Sequence, residues 1–239
     1  MATTLNSLSD ADRSDFLKRL SLFGLDASSV LQPDLVVQPK TTMSLSAASP
    51  NSFLRPHMLT TSNLDELKRW IGIPDQHFAS GLLTSTLEAP PPISKALSAK
   101  LATPAVAPAA TALTGSVTTA AIKSISSKDM DNLRTAATSY IWGQTTASAS
   151  YKSVIEAAFK NFQVAVWPFY TITVSAGSVL EIGSGPHVLC AWKIIIQQGG
   201  QVRGVGTNLH VQCTILEKQQ SIIRSPGPIL QTQAVDFNN

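Results

Sequence analysis

Tyr170-Thr171-Ile172-Thr173-Val174-Ser175-Ala176-Gly177-Ser178 returns further along the chain, at an offset of 22, as Trp192-Lys193-Ile194-Ile195-Ile196-Gln197-Gln198-Gly199-Gly200. A second match follows at an offset of 23, between Ile182-Gly183-Ser184-Gly185-Pro186-His187-Val188-Leu189-Cys190 and Val205-Gly206-Thr207-Asn208-Leu209-His210-Val211-Gln212-Cys213. In the first copy Ile172 and Val174 alternate with Thr171 and Thr173, a turn carries Gly177, and Val179, Leu180 and Ile182 resume the apolar spacing. Alternation of period two in β-branched residues, broken by glycine, predicts strand, turn, strand. The second copy repeats it with Ile194, Ile196, Gly199, Val202 and Val205, and Gly204 is the extra residue that lengthens the offset by one. A glycine inserted into a strand pattern predicts a bulge or a corner there.

A unit of this length resembles the rung of a β-helix, in which short strands pair in parallel with those above and below. The resemblance implies columns of like side chains: Tyr170 over Trp192, Ile172 over Ile194, His187 beside His210 and Cys190 beside Cys213. It covers about 50 of the 239 residues, with flanking fragments at Val164–Phe169 and Thr214–Glu217. Solenoids need at least three repeats and covered ends, and open strand edges pair with other chains. Helices or a neighbouring subunit are therefore expected to cap the stack. An antiparallel sandwich or barrel made of the same strands is the alternative, because short strands with regularly spaced turns suit it as well.

Working outward, Ser9 is a candidate N-cap with acids behind it, and Phe16, Leu17, Leu20 and Phe23 follow at helical spacing before Gly24. This predicts an amphipathic helix over Ser9–Phe23. Ala27–Ser52 is Ser/Pro-rich and reads as an extended arm, with one short extended candidate at Leu35–Gln38. Ser62–Trp70 predicts a helix capped by Ser62, with Leu64, Leu67 and Ile71 on one face and Gly72 at its end. Glu88–Gly115 is low in complexity, with three consecutive prolines at Pro90–Pro92, and reads as a linker or second arm. A capped start at Ser127, with Met130, Leu133, Ala137 and Ile141 in register, and a further helix over Ser150–Phe162 predict a helical hairpin. The expected fold class is α+β: a helical N-terminal region with an arm (1–88), a linker (89–126), the hairpin (127–162), a compact β domain (163–217) and a tail (218–239).

Charged residues make up 14% of the chain, against roughly 25% in an average soluble protein. So neutral a surface does little to oppose association. The 18 basic and 15 acidic residues are scattered, and no basic stripe marks a nucleic-acid surface. Residues Met1–Asp15 contain no apolar run of the kind a secretory signal needs, so synthesis in the cytoplasm without classical export is the expectation. Leu101–Ile122 is uncharged but contains Pro104, Pro108, Gly115 and five threonines, which argues against a membrane helix.

The chemistry-bearing residues are few. His187, Cys190, His210 and Cys213 have the composition of a tetrahedral zinc site, yet residues three apart on a strand point to opposite faces. They are expected as structural columns, with free thiols and no metal or cofactor. Gly199–Gly206 is glycine-rich but lacks the Lys-Ser/Thr ending of a phosphate loop, and Gly183-Ser184-Gly185 is not a nucleophile elbow. Asp75 and His77 fit a solvated turn, and the repeats carry only Glu181 and Glu217 as acids. The expectation is a non-enzymatic structural protein that partners itself as a shell, coat, fibre or scaffold. The alternatives are a carbohydrate-binding or carbohydrate-cleaving module that stacks glycans on Trp167, Tyr170 and Trp192, and a pore former that inserts the Ala/Thr-rich stretch Ala110–Ile122.

Overall fold

The computed structural model describes residues 4–47, 54–84, 126–159, 161–183, 185–205, 207–218, 221–224 and 232–233. The linker 89–125, the uncharged stretch 101–122 and most of the tail 218–239 lie outside the described residues. The chain is α+β with parallel-strand sheets, and it divides into two compact units, one formed by residues 1–60 with 163–239 and the other by residues 61–162. The sequence region 1–88 is thus shared between them.

The first unit contains β1 (Asp34–Val37), β2 (Thr42–Leu45), β3 (His57–Thr61), β4 (Phe162–Val174), β5 (Val179–Ile182), β6 (Gly185–Ile196), β7 (Gln201–Gly204), β8 (Thr207–Lys218), β9 (Ser221–Arg224) and β10 (Thr232–Gln233). The larger sheet has the order β1-β4-β6-β8-β10, with β3 beside β4 and β9 beside β8; the smaller is β2-β5-β7. Pairing is parallel from β1 through β4 and β6 to β8 and from β2 through β5 to β7. Both β9 and β10 run antiparallel against β8. The parallel pairs are not those of an antiparallel sandwich or barrel.

One register runs through the repeated strands. Ile172 is level with Ile194 and Ile194 with Leu216, and Tyr170 falls level with Trp192 between the pairs Phe169–Ala191 and Thr171–Lys193. The expected insertion at Gly204 does not occur, since Ile182 pairs with Gly204 and Gly185 with Thr207 at the same offset. The second match of the sequence is therefore one residue out of step with the ladder. His187 is level with Leu209 and Val188 with His210, while Cys190 is level with Gln212 and Ala191 with Cys213. The expected His and Cys columns do not form, because the long apolar ladder sets the register and the polar residues follow it.

Half of the expected arm at Ala27–Ser52 is a third copy of the same unit. Leu35, Val37, Met43 and Leu45 are level with Ile172, Val174, Leu180 and Ile182. The three turns share one geometry: the amide of Thr41 donates to the Gln38 carbonyl (3.2 Å), Ser178 to Ser175 (3.1 Å) and Gly200 to Gln197 (2.8 Å). Each turn has one left-handed residue at the same level, Lys40 (φ 58°), Gly177 (φ 65°) and Gly199 (φ 71°). The turns also stack on one another, since the Lys40 amide donates to the Ala176 carbonyl and the Gly177 amide to that of Gln198. Of the three, Lys40 carries a Cβ in a region that disfavours one. Lys40→Gly is therefore expected to stabilise the protein by about 0.5–1 kcal/mol, read as a higher urea midpoint at unchanged slope; an unchanged or lower midpoint would contradict it.

The core-facing side chains change phase within each long strand. Trp167 and Phe169 face the core, then Ile172 and Val174; on β6 the same face shows Leu189 and Ala191, then Ile194. Tyr170 and Thr171 stand at the switch, and both amides donate to the single carbonyl of Pro33 (2.7 and 3.1 Å). Two successive amides turned to the same side mark a kink in the strand, and the offset to β6 is the same on both sides of Tyr170, so no residue is inserted. The ladder skips Trp192 at the same level, so the bend is stacked. Between the sheets lie Leu35, Val37, Leu45, Trp167, Phe169, Ile172, Val174, Leu180, Ile182, Leu189 and Leu209. The opposite face of the larger sheet is covered at β6 and β8 by helix α1 (Asp10–Ser21). Ser9 caps α1 by accepting from the Asp12 amide (3.2 Å), and Phe16 meets Tyr170 edge-on at 5.4 Å between centroids.

The second unit holds α2 (Leu64–Ile71), α3 (Asp75–Ala79), α4 (Ser127–Trp142), α5 (Thr145–Ser148) and α6 (Lys152–Ala158). Asn63, not Ser62, caps α2: its side-chain oxygen accepts from the amides of Asp65 and Glu66. Ser126 caps α4 from one residue before the expected start. Leu64, Leu67 and Ile71 are buried along one face of α2, as their spacing requires. The predicted helix over Ser150–Phe162 is cut to Lys152–Ala158, because the chain is already extended by Phe162. Among the described residues no helix is long and apolar enough to cross a membrane.

Candidate functional site

The residues singled out from sequence converge on the long strands but do not form an open site. Trp167 is 1% exposed, and its indole N–H donates to Nδ1 of the buried His187 (3.1 Å), with the rings stacked at 16°. That donor fixes Nδ1 as the acceptor, so the proton of the neutral imidazole sits on Nε2. On β8 the ring of His210 lies 3.2 Å from the side-chain nitrogen of Gln212, and both are buried. Tyr170 is buried against α1. Of the three expected stacking aromatics only Trp192 keeps a partly open face. The glycan-stacking alternative requires Trp167 and Tyr170 at the surface; they are buried because the larger sheet is covered on both faces, one by the smaller sheet and one by α1.

Cys190 and Cys213 are free and buried. Cys213 faces the core between the sheets. Cys190, level with Gln212 and one step off phase, faces the other way. Burial pushes the Cys190 thiol up to about 12 and that of Cys213 to about 11, against a smaller opposing pull from the Arg19 guanidinium. Thiolates are the reactive form. Neither cysteine is expected to react with an aromatic disulfide reagent in the folded protein at pH 8, and both are expected to react at once in guanidinium; rapid labelling of one thiol under native conditions would overturn this. His187 and Cys190 stand on opposite faces of β6, and among the described residues no three His, Cys, Asp or Glu side chains are grouped as metal ligands.

Two charged hubs escape the sequence reading. On α1 the fully buried Arg19 pairs with Asp15 through Nε (3.2 Å) and Nη2 (3.0 Å), and the same carboxylate accepts from Thr214 Oγ1 (2.7 Å) on β8. The i,i+4 spacing of Asp15 and Arg19 is the sequence signal for the pair; its burial is not. In the helical unit the Lys68 ammonium donates to Asp75 Oδ1 (2.8 Å), the carbonyls of Tyr140 (2.9 Å) and Gly143 (2.8 Å), and Thr145 Oγ1 (2.9 Å). Nearby, Asp65 accepts from both the Tyr140 hydroxyl and Lys152. Its carboxyl is held below the ordinary 3.8 by the Lys152 and Tyr140 bonds.

Lys68 aims its ammonium at the carbonyls of Tyr140 and Gly143 near the end of α4, and the Asp15 carboxylate joins Arg19 of α1 to Thr214 of β8, so both hubs tie separate elements together. Bringing α2, α3, α4 and α5 onto one ammonium fixes their packing without supplying a cleft. The described surface shows a shallow depression along α1, lined by Asp10, Arg13, Ser14, Leu17, Lys18 and Ser21, all from one helix. Comparison with protein-family models, with curated proteins and with solved structures found no match to this chain.

Proposed function

We propose that this chain is a non-enzymatic structural protein that self-assembles as a homo-oligomer, and that its three strand–turn–strand units are the rungs of a short β-solenoid. The observation that carries the reading is the first rung: β1 ends the larger sheet and β2 ends the smaller one, so one end of the stack presents two strand edges side by side. Such edges are templates for another chain. The 14% charged content supports the same reading, because a surface poor in charge does little to keep copies apart. The buried Trp167–His187 pair and the carbonyl-bound Lys68 are rigid ties of the kind a building block uses.

Light scattering on the size-exclusion peak at micromolar concentration tests this. A mass of at least twice 25.4 kDa is expected, and a monodisperse monomer across the micromolar range would end the proposal.

A further inference from the structure

The two ends of the stack are finished differently. At the far end, the outer edge of β8 is occupied by the antiparallel strands β9 and β10. The neighbouring edge strand β7 carries Arg203, bound to Glu181 (3.1 Å). At the near end, no strand follows β1 or β2 among the described residues. β2 reads Thr42-Met43-Ser44-Leu45, without charge or proline. Large apolar side chains are exposed around this end: Leu31 (60%), Val36 on β1 (45%) and Met58 on β3 (48%).

We infer that a second copy of this chain pairs on this end, β1 to β1 and β2 to β2 in antiparallel sense about a two-fold axis, giving a closed dimer. The inference rests on the self-assembly reading above. Head-to-tail growth would need β1 to pair with the outer edge of β8, which is taken. Contact of the near end with the same end of a second copy avoids that occupied edge, and such a contact closes after two copies instead of running on as a fibre. Antiparallel pairing of β1 centred on Val36 sets that exposed valine opposite its own mate and Leu35 opposite Val37. Asp34 then stands one diagonal step from Lys40 of the second copy, within reach of a long side chain. The exposed valine and the opposite charges on either side of it are thus self-complementary.

Two variants at Val36 test this. Val36→Lys alters an exposed position, so the circular dichroism spectrum is expected to stay as in the wild type while the mass in solution falls by half and the melting temperature loses its dependence on protein concentration. Val36→Cys places a reactive thiol at the two-fold, and mild oxidation is expected to give several-fold more disulfide-linked dimer than Val205→Cys, an exposed control position 50% open. Wild-type protein that is itself monomeric ends the self-assembly reading. An oligomeric wild type whose Val36→Lys variant keeps its mass, or whose Val36→Cys variant links no better than Val205→Cys, leaves self-assembly standing and overturns this interface.

Discussion

Lys68→Ala is expected to cost the helical unit about 3–5 kcal/mol. The ammonium is buried and holds two backbone carbonyls, a hydroxyl and a carboxylate. Removing it leaves the Tyr140 and Gly143 carbonyls without their donor, at about 1–3 kcal/mol each. The Asp75 side chain is half exposed, so its charge rehydrates and adds less. Hydrogen exchange read by peptide gives the answer: protection in α2 and α4 should fall by two or more orders of magnitude, whereas an unchanged pattern would show that the hub adds no net stability. Lys68→Met with Asp75→Asn should recover part of the loss.

The same hub gives a pH dependence. Burial raises the Asp75 carboxyl, but the bonds from Lys68 and Thr145 outweigh it and hold the group below 3.8. A carboxyl lowered in the folded state contributes stability that is complete above its unfolded value and is lost as pH falls through the folded one. The helical unit should accordingly weaken below about pH 4.

Trp167→Ala is expected to destabilise the sheet unit by about 3–5 kcal/mol through the cavity alone, with His187 Nδ1 left without its donor besides. Trp167→Phe separates the two contributions. It keeps most of the volume and removes the N–H, so a loss of about 1–3 kcal/mol is expected. The urea midpoint followed by circular dichroism measures both. A phenylalanine variant as stable as wild type would mean that the indole–imidazole bond contributes nothing net. Sequence alone offers Trp167 as a surface aromatic, and its burial shows how completely these strands are covered.

The Ile172–Ile194 column and the Gly177 and Gly199 turns are legible because each lies in the residue pattern itself, at one offset. The unit at Asp34–Leu45 is not. It is remote in the chain from its partner, with Asp34 pairing to Thr171, and Lys40 occupies the level where the other two turns have glycine. The His and Cys columns mislead for the opposite reason: two short matches at the longer offset look like register, but a ladder of long strands is decided by its apolar majority. Lys68 is invisible because its main-chain partners lie 72 and 75 residues away.

By itself, then, the sequence determined the strand–turn–strand pattern and the offset of 22 between Tyr170–Ser178 and Trp192–Gly200, the existence of helices upstream of it and the scarcity of charge, since periodicity, turn chemistry and composition are local properties. Only the tertiary structure decided that Asp34–Leu45 pairs in parallel with the repeated strands, that both faces of the long strands are covered, and which residues stand level. Those depend on contacts between segments far apart in the chain, where burial of both sheet faces and one shared register outweigh any local resemblance.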